Sequence, residues 1–367
     1  MAKTPVIRAI DDGYGDTKLY DGKEFTLLPS YATAWREPER SELKELQEDR
    51  LSYIKAETDG KAYLVGKGAV EQDSRGSWVG GDNKHKDKRF IVIFRTCLAL
   101  IAPKDTDVID LLAMSLPVEV DEDEKRHEFL RNLVVGWHKI KVTLADGTVI
   151  DREINVKEVI IKNQPFAAYC SKVLNKQGDI ANPELASGFN VLVDIGARTR
   201  NVFAWKALKP QKDYKTQSFD GMFEAFSEIG RRIKQETGAR VADIKIQSIL
   251  EEGNFNGLTE QQLQEIKEDV YDDHANRAVG DVEKLLVNAK GQIHNVLWGC
   301  GGAELLKPYI EEYMTDYNLI FLNRFSVVEG LYYLAVVAWN KKESTSKTES
   351  KPASSKAQPV EAQELQA

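Results

Sequence analysis

Apolar residues along this chain fall into short runs of strand length separated by Asp-Gly turns, and into longer stretches with helical spacing. The opening reads as three strands, Val6 to Ile10, Thr17 to Tyr20 and Glu24 to Leu28, with Asp21-Gly22 as the hairpin turn between the last two. A charged helix is expected over Ser41 to Arg50, and Leu51 to Ala56 and Lys61 to Val65 flank a second hairpin turn at Asp59-Gly60. Within Lys84 to Ile101, Phe90, Phe94, Cys97, Leu98 and Ile101 share one helical face, which core packing explains. Val108 to Leu116 is almost continuously apolar and ends at Pro117, as suits one strand buried on both faces. A helix over Glu122 to Val135 and a hairpin of Ile140 to Leu144 with Thr148 to Val156, turning at Asp146-Gly147, complete the first half.

The second half repeats this topology without repeating the sequence. After a strand at Val159 to Ile161 and a helix from Gln164 to Asn175, a new three-strand set follows at Val191 to Val193, Asn201 to Trp205 and Lys215 to Phe219. Helices are expected over Met222 to Glu236 and Glu260 to Asn288, the second long and mostly polar, with its charges on a solvated face. Val296 to Trp298 reads as a strand and Phe325 to Trp339 as a final apolar helix. Two domains are therefore expected, and 367 residues is more than one core usually holds. Residues 341–367 contain no aromatic residue and only Val360 and Leu365 as sizeable apolar ones, so a disordered tail is expected there.

Composition narrows the function classes. With 50 basic and 58 acidic residues the net charge is −8, which argues against extended direct contact with nucleic-acid phosphates. Cys97, Cys170 and Cys300 are odd in number and far apart, as expected in a reducing cytoplasm, and no zinc-type spacing occurs among cysteines and histidines. The start carries no apolar signal core and no stretch of about 18 apolar residues occurs, so neither secretion nor membrane spanning is expected.

The candidate chemistry lies in three glycine-bearing segments. Asp11-Asp12-Gly13-Tyr14-Gly15-Asp16-Thr17-Lys18 and Asp194-Ile195-Gly196-Ala197-Arg198-Thr199 each follow a short strand, so each first acid sits where a buried strand opens into a hairpin. Glycine allows close approach to a phosphate, and successive N–H groups in such turns form an anion-binding concavity. Two of them could clasp a polyphosphate, with the carboxylates holding the water shell of a Mg²⁺. The third segment, Gly299-Cys300-Gly301-Gly302-Ala303-Glu304, leads from a strand into a helix and suits a base and ribose.

On these motifs the chain resembles the actin-like ATPases, and within them the ParM-type actins that segregate bacterial plasmids. The match spans about residues 6 to 340: Asp11-Asp12-Gly13-x-x-x-x-Lys18 with its doubled acid, Asp194-x-Gly196, and Gly299-x-Gly301-Gly302-Ala303-Glu304-Leu305. The resemblance implies an α/β, two-lobed actin-like fold, each lobe a mixed sheet with flanking helices, with Mg-ATP in the central cleft. It implies ATP hydrolysis as the chain assembles with itself into filaments, and a ParR-type DNA-binding adaptor as partner. Lobe one would span 1–163, with an outer part over about 30–80, and be completed by the helix 325–340; lobe two would span 164–324.

In that frame Lys18 is the cation on the β- and γ-phosphates, and Asp11 and Asp194 hold the metal's water shell, a task Asp12 could share. Gly13, Tyr14, Gly15, Thr17, Gly196, Ala197, Arg198, Thr199, Gly299, Gly301, Gly302, Ala303 and Glu304 would complete the nucleotide contacts. Gln164 stands where the family places the residue that orients the attacking water, with Asn163 as competitor; a neutral amide can orient water, as a glutamine does in GTPases. Ala197-Arg198-Thr199-Arg200-Asn201 departs from the usual small residue, two threonines and late acid. Arg198 either adds positive charge at the phosphates or points away and solvates the turn. Two other classes share the motifs: a small-molecule kinase, which needs an acid placed to take the substrate's hydroxyl proton, and a nucleotide-binding scaffold with little turnover.

Overall fold

The computed structural model describes residues 4–36, 49–72, 84–116 and 123–349. Three sheets organise it. In the first the order is Val159–Asn163, Leu111–Leu116, Ile7–Asp12, Asp16–Tyr20, Phe25–Pro29; the first three strands are parallel and the last two continue as antiparallel hairpins. Another sheet follows the same plan: Leu319–Phe321, Asn295–Gly299 and Phe189–Ile195 are parallel, and Arg200–Lys206 turns back beside the last of these. Thr216–Ser218 then pairs with Arg200–Lys206, as the expected three-strand set requires. In both sheets the central strand carries its acid, Asp11 or Asp194, at its C-terminal end.

The remaining sheet is ordered Ala32–Ala34, Lys61–Val65, Ile54–Thr58, Gly136–Thr143, Val149–Val156, Val108–Ile109. It draws on two distant stretches of chain, because Ala56 pairs with Val142. Such a register depends on tertiary packing and leaves no local signature. The run read as one strand from Val108 to Leu116 is two strands in two sheets. Asp110 makes the break, accepting the Val6 N–H at 3.0 Å and pairing with Lys157 at 2.7 Å.

Helix Lys88–Ile101 packs between the two sheets of lobe one, and all five residues of its expected apolar face are buried there with Ile140, Val142 and Ile154. In lobe two Met222–Thr237, Glu260–Leu286 and Cys300–Tyr313 cover the sheet around Val191, Ile229, Val279 and Trp298. A third core joins the lobes. Ile7, Ala9 and Leu111 from one sheet and Leu192, Phe203 and Leu297 from the other pack around helices Gln164–Val173 and Ser326–Glu349.

Several expectations shift. Glu260–Leu286 ends two residues early and passes into a 3-10 turn, Val287–Gln292, while its polar sequence still buries Leu263, Val270, Tyr271 and Val282 on one side. Pro183–Ser187 and Asp243–Glu252 are helices that the periodicity does not announce. The closing helix runs on to Glu349, so 341–349 are helical where disorder is expected from composition. Extending a helix already nucleated by packing needs no new nucleus, and Trp339 Nε1 donates to Glu343 at 3.2 Å while Lys342 pairs with Glu158. Most of the expected helix Ser41 to Arg50, the start of Glu122 to Val135, and the tail from 350 onward lie outside the described residues. Among the described residues no helix is long and apolar enough to cross a membrane.

Candidate functional site

The first hairpin sets opposite residues in register: Asp11 faces Lys18 and Asp12 faces Thr17. Side chains alternate across a strand, so one pair must face the cleft and the other the interior of lobe one. Asp11 and Lys18 take the cleft, with Lys18 Nζ 3.4 Å from Asp11 Oδ2. Asp11 Oδ1 also accepts from Ser115 Oγ at 2.7 Å and Gln164 Nε2 at 2.9 Å, which fixes the carboxylate in a single orientation. Burial alone would lower the Lys18 pKa, but the carboxylates of Asp11 and Asp16 more than offset this, and the ammonium is held above its ordinary value.

Asp12 and Thr17, expected at the nucleotide, lie on the far face of the hairpin, and neither is among the residues lining the cleft. Asp12 Oδ2 meets His85 Nε2 at 2.9 Å and Lys84 Nζ at 3.3 Å, and Thr17 Oγ1 lies 2.9 Å from Ser30 Oγ. Burial would raise the Asp12 pKa; Lys84 and His85 outweigh it and hold the carboxyl below its ordinary range. The cluster also anchors the loop. The Gly13 carbonyl accepts from Ser30 Oγ at 2.8 Å and Lys84 Nζ at 3.1 Å, and across a planar trans peptide this turns the Tyr14 N–H away from them. Glycine is required at 13, where a Cβ would stand 2.5 Å from the Asp16 carbonyl oxygen.

The second hairpin loop is held the same way by a different partner. Helix Met222–Thr237 begins beneath it, and the Met222 and Phe223 N–H groups donate to the Gly196 and Ala197 carbonyls at 3.0 and 2.8 Å. The following N–H groups, of Ala197 and Arg198, are thereby turned away from that helix. The two loops nearly touch, because a Cβ on Gly15 would lie 3.2 Å from Ala197 Cβ. Asp194 is buried at the base of this loop. Its Oδ2 takes a long bond from Asn201 Nδ2 at 3.5 Å and the Cys300 thiol stands beside the carboxylate, while Oδ1 has no partner at hydrogen-bond geometry. Burial pushes its pKa up to about 6.

The third segment enters beside it. Asn295–Gly299 pairs in parallel with Phe189–Ile195 and leads into helix Cys300–Tyr313, whose N-terminus carries no side-chain cap. Gly302 packs against the second hairpin, where a Cβ would lie 2.4 Å from Ile195 Cγ2; around Gly301 there is open space, and both glycines line the cleft. Gly299, Ala303 and Glu304 do not line it. Gly299 ends the strand, Ala303 is buried in lobe two, and Glu304 pairs with Arg324 at 3.1 Å.

These pieces enclose a cavity of about 300 Å³. One end presents Asp11, Lys18, Asp194 and the two loops; elsewhere its wall is apolar, with Met222, Phe223, Phe226 and Leu305, beside the polar side chains of Asp243 and Gln247. The aromatic and polar wall residues were missed in the sequence. Met222, Phe223 and Phe226 lie in a helix expected from the sequence without any role in the cleft, and Asp243 and Gln247 belong to the unannounced helix. Among the described residues no group of three or more His, Cys, Asp or Glu side chains is placed to hold a metal directly. Two acids with an unpaired buried carboxylate oxygen, Asp194 Oδ1, do fit a hydrated divalent cation held through its waters.

Comparison with known proteins agrees with this architecture. The family of actin like proteins, N-terminal domain, matches residues 9–166, and the archaeal actin homologue MreB-like C-terminal family matches residues 192–312. The chain belongs to the actin-like protein family. Its fold is similar to the apo pSK41 ParM protein, at 18% identity over 93% of this chain and 100% of that one with a TM-score of 0.67. It is similar to ParM of a 15-stranded filament from Clostridium botulinum, at 18% identity over 91% and 99% with a TM-score of 0.73. It is also similar to Ta0583, an archaeal actin homologue in complex with ADP, at 19% identity over 92% and 99% with a TM-score of 0.66. A search of curated proteins finds no match.

Proposed function

We propose that the chain is an ATPase of the ParM type, binding Mg-ATP between its lobes, polymerising into filaments and hydrolysing the nucleotide. The observation that carries the reading is the pair of facing loops, each with its carbonyls tied outward, closing over Asp11, Lys18 and the unpaired Asp194 Oδ1. Outward carbonyls leave inward N–H groups, and those suit a polyphosphate. Asp11 and Asp194 would hold the water shell of Mg²⁺, which when bound supplies charge neutralisation at the phosphates. Lys18 would add a fixed cation there. The apolar wall with Asp243 and Gln247 would take the base and ribose, and the ADP bound by Ta0583 supports a nucleotide in this cleft.

Gln164 would position the attacking water. Its Nε2 is spent on Asp11, which leaves its amide oxygen to accept from water. Asn163 is committed elsewhere, since its side-chain oxygen caps helix Gln164–Val173 by accepting from the Phe166 N–H at 2.8 Å. We place lobe one at 1–163 together with 325–340 and lobe two at 164–324. The filaments formed by ParM relatives support self-assembly. Net charge −8 favours an adaptor of ParR type between filament and plasmid DNA over direct contact. Cytoplasmic residence completes the reading. The test is titration of a fluorescent ATP analogue into wild type and Asp194→Asn, with and without Mg²⁺. Wild type should bind more tightly with Mg²⁺ and the variant should lose that gain; equal binding in all four would overturn the reading.

A further inference from the structure

We propose that Arg198 is a specificity-determining residue that reads the terminal phosphate of a nucleoside triphosphate and makes the cleft prefer triphosphate to diphosphate. The inference rests on the nucleotide reading above. Four cationic side chains line the cleft. Three stand beside carboxylates: Lys18 by Asp11 at 3.4 Å, Arg324 by Glu304 at 3.1 Å and, in a looser exposed pair, Lys67 by Glu71 at 3.9 Å. Arg198 makes no ion pair among the described residues. Its guanidinium lies instead over two rings, 5.6 Å from the Tyr14 centroid and 5.4 Å from that of Phe219.

The difference between a carboxylate partner and an aromatic one decides what Arg198 can do. A carboxylate neutralises the charge and occupies the donors; a ring holds the cation by its quadrupole and leaves the charge uncancelled and the in-plane N–H fork unspent. Phe219, the second of these rings, stands 67% exposed, the most exposed large apolar side chain among the described residues. Arg198 is itself exposed while lining the cleft, which puts it at the rim, on the loop that follows Asp194. Tyr14 belongs to the opposite loop. The stacked guanidinium thus spans the line where the two phosphate loops meet, pre-oriented toward the outermost phosphate, and pre-orientation lowers the entropy lost on binding.

The experiment titrates full-length wild type, Arg198→Ala, Arg198→Lys and Tyr14→Leu with Mg-ADP and with the Mg complex of a non-hydrolysable ATP analogue, reading both dissociation constants. Arg198→Ala should weaken the triphosphate analogue about tenfold or more, the scale of one lost charge-assisted hydrogen bond, and ADP far less. Arg198→Lys should fall between, because it keeps the charge and loses the fork. Tyr14→Leu should lose part of the same discrimination, since it removes the ring and not the cation. Equal losses for both nucleotides, or no loss for either, overturn the role of Arg198 while leaving a nucleotide cleft in place. Failure of wild type to bind either nucleotide overturns both. Thermal melting of apo Arg198→Ala should match wild type, as the side chain is exposed.

Discussion

The carbonyl oxygen of Ala167 stands where the first side-chain atom of residue 330 would begin: a Cβ on Gly330 would lie 1.7 Å from it. Helices Gln164–Val173 and Ser326–Glu349 cross at this contact, inside the core that joins the two lobes. Backbone blocks the space, so no rotamer change relieves the clash and the helices must separate. Gly330→Ala should therefore destabilise the protein by about 3 kcal/mol or more, read by denaturant unfolding. Gly280→Ala, inside Glu260–Leu286 with nothing near the added atom, is the matched control and should be neutral or stabilising by up to about 1 kcal/mol. Equal losses in the two would show that the crossing is not tight.

Asp194 should make the nucleotide-free protein less stable as pH rises. Its pKa is about 6 when folded against an ordinary 3.8, so between these values the folded state binds more protons than the unfolded one and unfolding free energy falls. The penalty is absent below the lower value and complete above the upper, reaching about 3 kcal/mol. Asp194→Asn removes it. Unfolding of both apo proteins from pH 4 to 7.5 should show the variant's advantage growing up to about pH 6 and levelling off above. A pH-independent difference would mean the carboxyl is not held in a desolvated site.

Gln164→Ala should slow single-turnover hydrolysis by one to two orders of magnitude while nucleotide affinity changes less than about threefold, because the amide acts on water. Loss of affinity with the rate unchanged would make Gln164 only a support for Asp11, to which it donates at 2.9 Å.

Removing 350–367 should leave ATP-driven polymerisation intact. That segment has no aromatic side chain, and subunit contacts draw most of their energy from buried apolar surface. Pelleting over a concentration series gives the critical concentration of each protein. A rise of about tenfold or more, near 1.4 kcal/mol per subunit, would show that the tail holds subunits together.

Much of this was legible before any coordinates, and what was not has a common physical origin. The two hairpins and the Gly301-Gly302 pair at the start of helix Cys300–Tyr313 announce themselves because tight turns and close backbone approach restrict residue choice locally. The strands leading to Asp11 and Asp194 are recognisable from their short apolar runs, although both continue through the acid itself, to Asp12 and Ile195. Which of Asp11 and Asp12 faces the cleft depends on strand register, which the motif does not encode. The break at Asp110, the Ala56 to Val142 pairing and the helix crossing at Gly330 are tertiary facts without local signals. The free charge of Arg198 emerges only when the carboxylate partners of its neighbours are known.

The central claim is tested most directly by sedimentation of the full-length protein on adding Mg-ATP, with released phosphate measured in the same sample. The account predicts that protein pellets only with nucleotide and that phosphate appears without any added metabolite. A protein that stays in the supernatant and releases no phosphate, or releases it only when a small-molecule acceptor is supplied, would contradict it.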